Sequence, residues 1–493
     1  MKDYHQVQKD RKKYHIQPFK NTVHRSSLIA PMMTGCDTWI SFINHFLIKR
    51  GYKSVALKLS AIDDKGKLLD SRTLQIEEPK VYALNLTDIF KSFKVKNFLI
   101  DFFSEKNLFV PFPAVIVSHM GKDFCNIVHS YNRILNDSFE DDEINKNQVH
   151  ESSIDLKIDK EYDTFFNLSS GIYDLKNENI FINYEKKKIK IKKKLKVSVP
   201  RLSYKSFYLS KILPGNLDEG VIKIKQPKQS MFYGRLLAGQ MNKKTKAFSA
   251  NHSYYVSSNK KEYFNSSESY KNYPYFKDFI NRITMYPIFS PSKLDVSIKL
   301  FNKNDVFISP KKTISSSSKQ ALSINVNDLV KSANFKNVTA FTVIVKSQKG
   351  KIPTRVNHQL IYGGLNKENS LKSSIAVSLA NDDRFVPNHK KGFIWGQMIN
   401  NKDYNSKIGF CFYSSSGKED KIKIDFYNSN GYLKTIKHNL HPQKSLILSA
   451  NKIFNEKKFD FCWYVAKCER HDLSAYSVHV NKKSQNSSGE HNF

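Results

Sequence analysis

Apolar and polar residues alternate with a period of two along much of the chain. Val55, Leu57, Leu59 and Ala61 alternate with Ala56, Lys58 and Ser60, the pattern of a strand buried on one face. Asp63-Asp64-Lys65-Gly66 then supplies turn residues, the glycine tolerating positive φ. A further alternating strand carries Tyr82, Leu84 and Leu86. The same grammar returns in Leu294, Val296, Ile298 and Leu300 before Asn302-Lys303-Asn304-Asp305, and in Ile422, Ile424 and Phe426 before Asn428-Ser429-Asn430-Gly431. Six or more short strands with one helical turn in about 100 residues is the strand count of an immunoglobulin-like sandwich.

Two landmarks suggest that this unit was copied. The first is a short apolar helical turn opened by a residue able to cap it: Thr87-Asp88-Ile89-Phe90, Ser210-Lys211-Ile212-Leu213, Asn327-Asp328-Leu329-Val330 and Asn451-Lys452-Ile453-Phe454. The second is a strand, a polar turn and a strand carrying one histidine, ending near His129, His252, His358 and His479. The helical turns precede their histidines by about forty residues in the first two copies and about thirty in the last two. The expected fold is therefore all-β, four tandem immunoglobulin-like β-sandwich modules, each with one short helical turn. The expected boundaries are a basic lead-in at 1–30, sandwiches at 31–137, 161–257, 272–366 and 384–481, an acidic linker at 138–160 and a disordered tail at 482–493. The likeness is one of architecture, and no family is identified from it.

Length agrees with several modules, since 493 residues exceed one ordinary core. A formal net charge of +35 points to polyanionic partners, although abundant Lys, Asn, Ile, Phe and Tyr also match the bias of AT-rich coding. Five cysteines are few, odd in number and do not recur at matching positions, which favours free thiols in a reducing compartment. The polar N-terminus lacks a signal-like apolar core, and no stretch approaches the ~20 apolar residues of a membrane span. A cytoplasmic protein is expected.

The sharpest chemical feature is Lys186 to Lys196, which runs on to Val199. In an extended strand Lys188, Lys190, Lys192, Lys194 and Lys196 share one face, with Ile189, Ile191, Leu195, Val197 and Val199 on the other. A repeat of ~6.5 to 7 Å along that face suits the charges of a nucleic acid or an acidic glycan. The competing role is a solvated strand whose charges discourage edge-to-edge pairing.

The repeated histidines, with Tyr131 and Tyr254 beside two of them, mark a candidate polar groove: His129, Tyr131, His252, Tyr254, His358 and His479. Zinc is disfavoured. His119, Cys125 and His129 in the first copy, and Cys462, Cys468, His471 and His479 in the fourth, have usable spacing, but the middle copies offer no such set, and histidines on successive modules are not expected to converge. Tyr255, Tyr263, Tyr270, Tyr273 and Tyr275 cluster with Tyr254 around the second connector, where they either bind sugar rings or bases or pack the connector down. No phosphate loop, nucleophile elbow, zinc-protease or kinase motif is present. No catalytic residue, metal or cofactor is assigned, and the balance leans away from an enzyme.

The leading expectation is a non-enzymatic binding or scaffold protein engaging an acidic polymer, acidic polysaccharide ahead of nucleic acid. The alternatives are an enzyme of surface-polysaccharide metabolism with a site between modules, and a structural protein assembling through sheet edges.

Overall fold

A computed structural model describes residues 2–3 and 25–493 apart from 107–113, 130–132, 135–150, 187–188, 216, 218, 228–230, 233–234, 254–261, 264–265, 288–289, 291, 316, 319, 354–355, 366, 368, 380–391, 413–416, 455–458 and 470–472. The chain is an all-β protein of antiparallel sandwiches. Its first strands are β1 (Arg25–Pro31), β2 (Cys36–Ile43), β3 (Val55–Ile62), β4 (Leu68–Gln75), β5 (Val81–Asn85), β6 (Asn97–Ser104), β7 (Ile116–Gly121) and β8 (Cys125–His129). They form one sheet in the order β1-β6-β3-β4 and a second in the order β5-β2-β7-β8, with two-residue strands extending the first beyond β1. Phe42 of β2 meets Phe102 of β6 edge-on across the interior, ring centres 5.1 Å apart.

That order returns in three further sets. The second set is β9 (Glu151–Lys157), β10 (Tyr162–Ser169), β11 (Leu175–Lys186), β12 (Ile189–Val199), β13 (Tyr204–Tyr208), β14 (Glu219–Lys225), β15 (Leu237–Asn242) and β16 (Phe248–His252). Its sheets run β9-β14-β11-β12 and β13-β10-β15-β16. The third is β17 (Glu268–Pro274), β18 (Phe279–Met285), β19 (Leu294–Phe301), β20 (Val306–Ile308), β21 (Leu322–Asn325), β22 (Ala340–Ser347), β23 (Asn357–Gly364) and β24 (Ser373–Ser378), with a short strand Lys312–Ile314 also on β19. The fourth is β25 (Phe393–Asn400), β26 (Tyr404–Cys411), β27 (Asp420–Asn428), β28 (Gly431–Leu440), β29 (Leu446–Ser449), β30 (Phe459–Cys468), β31 (Ser474–Asn481) and β32 (Ser487–His491). There the two sheets are joined through the Asn400–Asn405 pair at the β25–β26 turn. By compactness the chain divides into two units, residues 5–122 with 126–260, and residues 1–4 and 123–125 with 261–493. Each unit carries two strand sets.

The turns follow the expected chemistry. Gly66 has φ 79°, and Asp63 Oδ1 accepts from the N–H groups of Lys65 and Lys67. The glycine-free turn closes by another route, with Asn302 Oδ1 accepting from Asn304 and Asp305 N–H. No helix among the described residues is long and apolar enough to cross a membrane.

Several expected boundaries move. Arg25–Pro31 at the end of the lead-in is β1, paired with β6. Glu151–Lys157, assigned to the acidic linker, is β9, paired with β14. Ser373–Ser378 lies between the expected third and fourth sandwiches, at 272–366 and 384–481, but is β24, the last strand of its set. The tail at 482–493 is also ordered. Ser487, Ser488 and Glu490 are buried in β32, Asn492 N–H donates to Ala475 O, and Phe493 and Trp395 exchange backbone hydrogen bonds. Its Ser- and Asn-rich composition reads as disorder, but these small polar side chains satisfy backbone groups inside the fold. Ser487 Oγ accepts from Ser373 N–H and bonds Tyr362 O.

Candidate functional site: a lysine-bearing sheet face

β11 and β12 form a long hairpin of 12 and 11 residues, paired from Leu175–Val199 to Lys186–Ile189. The inward side chains Ile180, Ile182 and Tyr184 of β11 and Val197 and Val199 of β12 are buried with Ile222 and Ile224 of β14. β12 is the edge strand, so its inward residues are covered less than their β11 partners: Ile191, opposite buried Tyr184, and Leu195, opposite buried Ile180, are half-buried, and Ile189 is 45% exposed. The expected apolar face therefore holds only at one end.

On the opposite face Lys190, Lys192, Lys194 and Lys196 are all exposed, and Lys188 lies outside the described residues. Sequence reasoning missed the second row of this face. Lys225 of β14, Phe181 of β11 and Lys194 of β12 are in register across three strands, as are Lys223, Asn183 and Lys192. Paired residues of antiparallel strands point to the same side. Among the described residues the face thus carries six lysines on two strands that flank a third. Spacings are ~6.6 Å along each strand and ~10 Å between the two lysine rows. Phe181 is 39% exposed and has Lys194 Nζ 5.9 Å from its ring centre. Glu185 of β11 is in register with Lys190 of β12 on the same face. Lys223 and Lys225 left little signal in sequence because Val221-Ile222-Lys223-Ile224-Lys225 reads as an ordinary half-buried strand.

The histidines form no repeated groove. His129 and His252 stand on the eighth strand of their sets, whereas His358 and His479 stand on the seventh. That single-strand offset is the origin of the unequal spacing from the helical turns. All four are buried. His358 Nε2 lies 2.8 Å from Tyr273 Oη and its Nδ1 3.3 Å from Val356 O. His479 Nδ1 meets Ser406 Oγ, and burial lowers both rings to about 3. Contrary to expectation, two of the histidines converge: the rings of His129 and His252 meet edge-on at 4.4 Å, with Arg235 Nη1 3.3 Å from His252 Nδ1. Tyr131, Tyr254 and Tyr255 lie outside the described residues.

His119 Nε2 bonds Pro31 O at 3.0 Å, and His471 is outside the described residues. Burial pushes the Cys125 thiol up to about 12 and those of Cys462 and Cys468 well above the ordinary range. None of the five cysteines is in a disulfide. In the tyrosine cluster Tyr273 is fully buried, so packing is its role.

Fold and face together define a basic all-β protein of immunoglobulin-like sandwiches. No family model and no curated protein matches the chain. Among solved structures, it aligns with a β-glucuronidase 2 of Bacteroides uniformis bound covalently to cyclophellitol-6-carboxylate aziridine. Identity is 10% over 45% of this chain and 25% of that one, with a TM-score of 0.12. A second Bacteroides uniformis β-glucuronidase structure gives the same figures. Chicken CNTN1 FN1–FN3 domains align at 10% identity over 68% of this chain and 96% of that one, TM-score 0.09. The chain spans about a quarter of the glucuronidases' length, and scores of this size carry no argument about activity.

Proposed function

We propose that the protein is a non-enzymatic binding or scaffold protein that engages an acidic polymer through the outward face of β14, β11 and β12. The observation that carries this reading is the placement of Lys223 and Lys225. β14 lies inside its sheet, between β9 and β11, so its lysines do not guard an edge. Edge protection accounts for the β12 lysines alone. A face that answers an extended anion accounts for both rows.

An acidic glycan fits this face ahead of nucleic acid. Proteins that hold single strands stack successive bases on several aromatic side chains, and Phe181 is the exposed aromatic among the lysine rows. The contacts would be charge-dominated and would weaken as salt rises.

The test is binding of heparin, as a sulfated glycan, and of poly(dT), each at low and at physiological salt. Exposed ion pairs contribute from a few tenths to about 1 kcal/mol each. Replacing Lys190, Lys192, Lys194 and Lys196 by Gln is therefore expected to weaken heparin binding about fivefold or more at low salt and to leave thermal unfolding unchanged. Heparin affinity that ignores salt or survives the four substitutions would remove the proposal, and tighter binding of poly(dT) would reverse the preference for glycan.

A further inference from the structure

The basic face has a counterpart in the other compact unit. In the fourth strand set the corresponding sheet runs β25-β30-β27-β28. Its register puts Phe393 opposite Lys467, Lys467 opposite Lys423, and Lys423 opposite Lys437. One row across the sheet therefore presents three lysines on adjacent strands, all exposed. Lys467 is held up by Phe393, its Nζ 5.1 Å from the ring centre.

Like charges directly opposite on neighbouring strands are unfavourable. Two of the three lysines stand on β30 and β27, which are inner strands of this sheet, so edge protection does not explain them. Among the described residues two carboxylates are near. Asp425, two residues along β27, has Oδ1 3.2 Å from Lys423 Nζ and also accepts from Thr435 Oγ1. Glu469, exposed, follows Lys467 by two residues. Neither stands within the row, so the most direct relief of the repulsion is an anion bridging the three ammonium groups. Further along the same face Tyr432 is 57% exposed, with Tyr427 edge-on at 5.7 Å and Thr435 Oγ1 2.7 Å from Tyr432 Oη. The face thus repeats the combination of β14, β11 and β12: lysines in register across strands, and an exposed aromatic.

We propose that Lys423, Lys437 and Lys467 form a second binding site for the sulfate, carboxylate or phosphate groups of an acidic glycan, making the chain bivalent with one site in each compact unit. This rests on the glycan reading of the first face.

The test is calorimetric titration of the full chain with a heparin oligosaccharide too short to cover more than one face. The unaltered protein should bind two, and K190Q/K192Q/K194Q/K196Q should bind one. K423Q/K437Q/K467Q should also bind one, and the combined variant none. The charge-preserving K423R/K437R/K467R should keep both sites, which separates lost charge from lost fold. K423Q/K437Q/K467Q should keep a cooperative unfolding transition, the lost repulsion in the row opposing the lost Lys423–Asp425 pair. If that variant binds as the unaltered protein does, the second site is gone and the first stands. If the unaltered protein binds a single oligosaccharide and the β12 variant abolishes it, the second site is likewise gone. If the unaltered protein binds none, both proposals fall.

Discussion

His358 illustrates what the repeated histidines do. An N–H on Nδ1 donates to Val356 O, which leaves Nε2 to accept from Tyr273 Oη, so the neutral ring is satisfied on both sides. Protonation would strip Nε2 of its acceptor role inside a buried site, and burial lowers the ring to about 3. An unfolded histidine titrates near 6.5. Stability from this residue is therefore fully present above that value and is lost as pH falls toward about 3, because the unfolded chain binds a proton that the folded ring refuses. His45, His119 and His479 behave alike, at about 3, 4 and 3. Replacing His358 by Gln should cost roughly 1–3 kcal/mol at pH 7.5 through the broken hydrogen bonds. The glutamine cannot titrate, so at pH 5 the gap should narrow by about 2 kcal/mol. Urea denaturation at the two pH values measures both; a gap of equal size would show that the buried ring does not resist protonation. None of this was legible from spacing. A histidine two residues into a strand and one at its end look alike in sequence, and the pattern of apolar neighbours does not reveal which strand of a pair carries it.

Period two, turn residues and the helical turns were legible because they are local. Each helical turn does follow the fifth strand of its set. The capping residue was misplaced by two positions: Asn85 Oδ1 accepts from Asp88 N–H, and Asn325 Oδ1 from Asn327 N–H, while Tyr208 provides no side-chain cap. The four residues singled out instead tie the turn to the second strand. Thr38 N–H donates to Thr87 Oγ1 at 2.8 Å and Asn281 N–H to Asn327 Oδ1 at 2.6 Å. Ser210 N–H donates to Asp163 Oδ1 at 3.1 Å, and Asn451 N–H to Asn405 Oδ1 at 3.2 Å. The fifth strand ends here, so polar groups at the start of the second strand must find partners on the turn. That is a long-range requirement, and sequence reading sees only its local half. Asn327→Ala should cost about 1–3 kcal/mol, since it orphans the buried Asn281 N–H and also removes a donor to Phe279 O. Asn325→Ala, a cap alone, should cost about 1 kcal/mol. Equal losses from the two in chemical denaturation would deny the tie to the second strand.

At the scale of the whole molecule, the strand sets are fused in pairs within each compact unit. In residues 261–493, Cys411, Tyr476, Val478 and Val480 of the fourth set belong to the same hydrophobic cluster as the core of the third. Tyr273 and Tyr476 lie 5.5 Å apart, and Asn272 Nδ2 donates to Phe412 O and Pro442 O. At Gly409 even a Cβ would come within 2.3 Å of Pro274 Cβ, so the two strand sets meet backbone to side chain. In the other unit Leu202, held at φ 54°, packs with Ile29 and Leu99 while its carbonyl accepts from Asn97 Nδ2. Tyr204 Oη donates to Met32 O, and Ala250 N–H donates to Asn126 Oδ1. Sets that share an interior lose it together, because opening one exposes apolar surface and buried polar groups of the other. Independent modules would melt one by one, as loosely coupled repeats do. Differential scanning calorimetry should therefore show no more than two transitions for the full chain. Asn272→Ala, which removes the third set's donor to two buried carbonyls on the fourth, should shift the transition of residues 261–493 as a whole. Four separable transitions, or a shift that splits the third set from the fourth, would show that the sandwiches stand as separate beads.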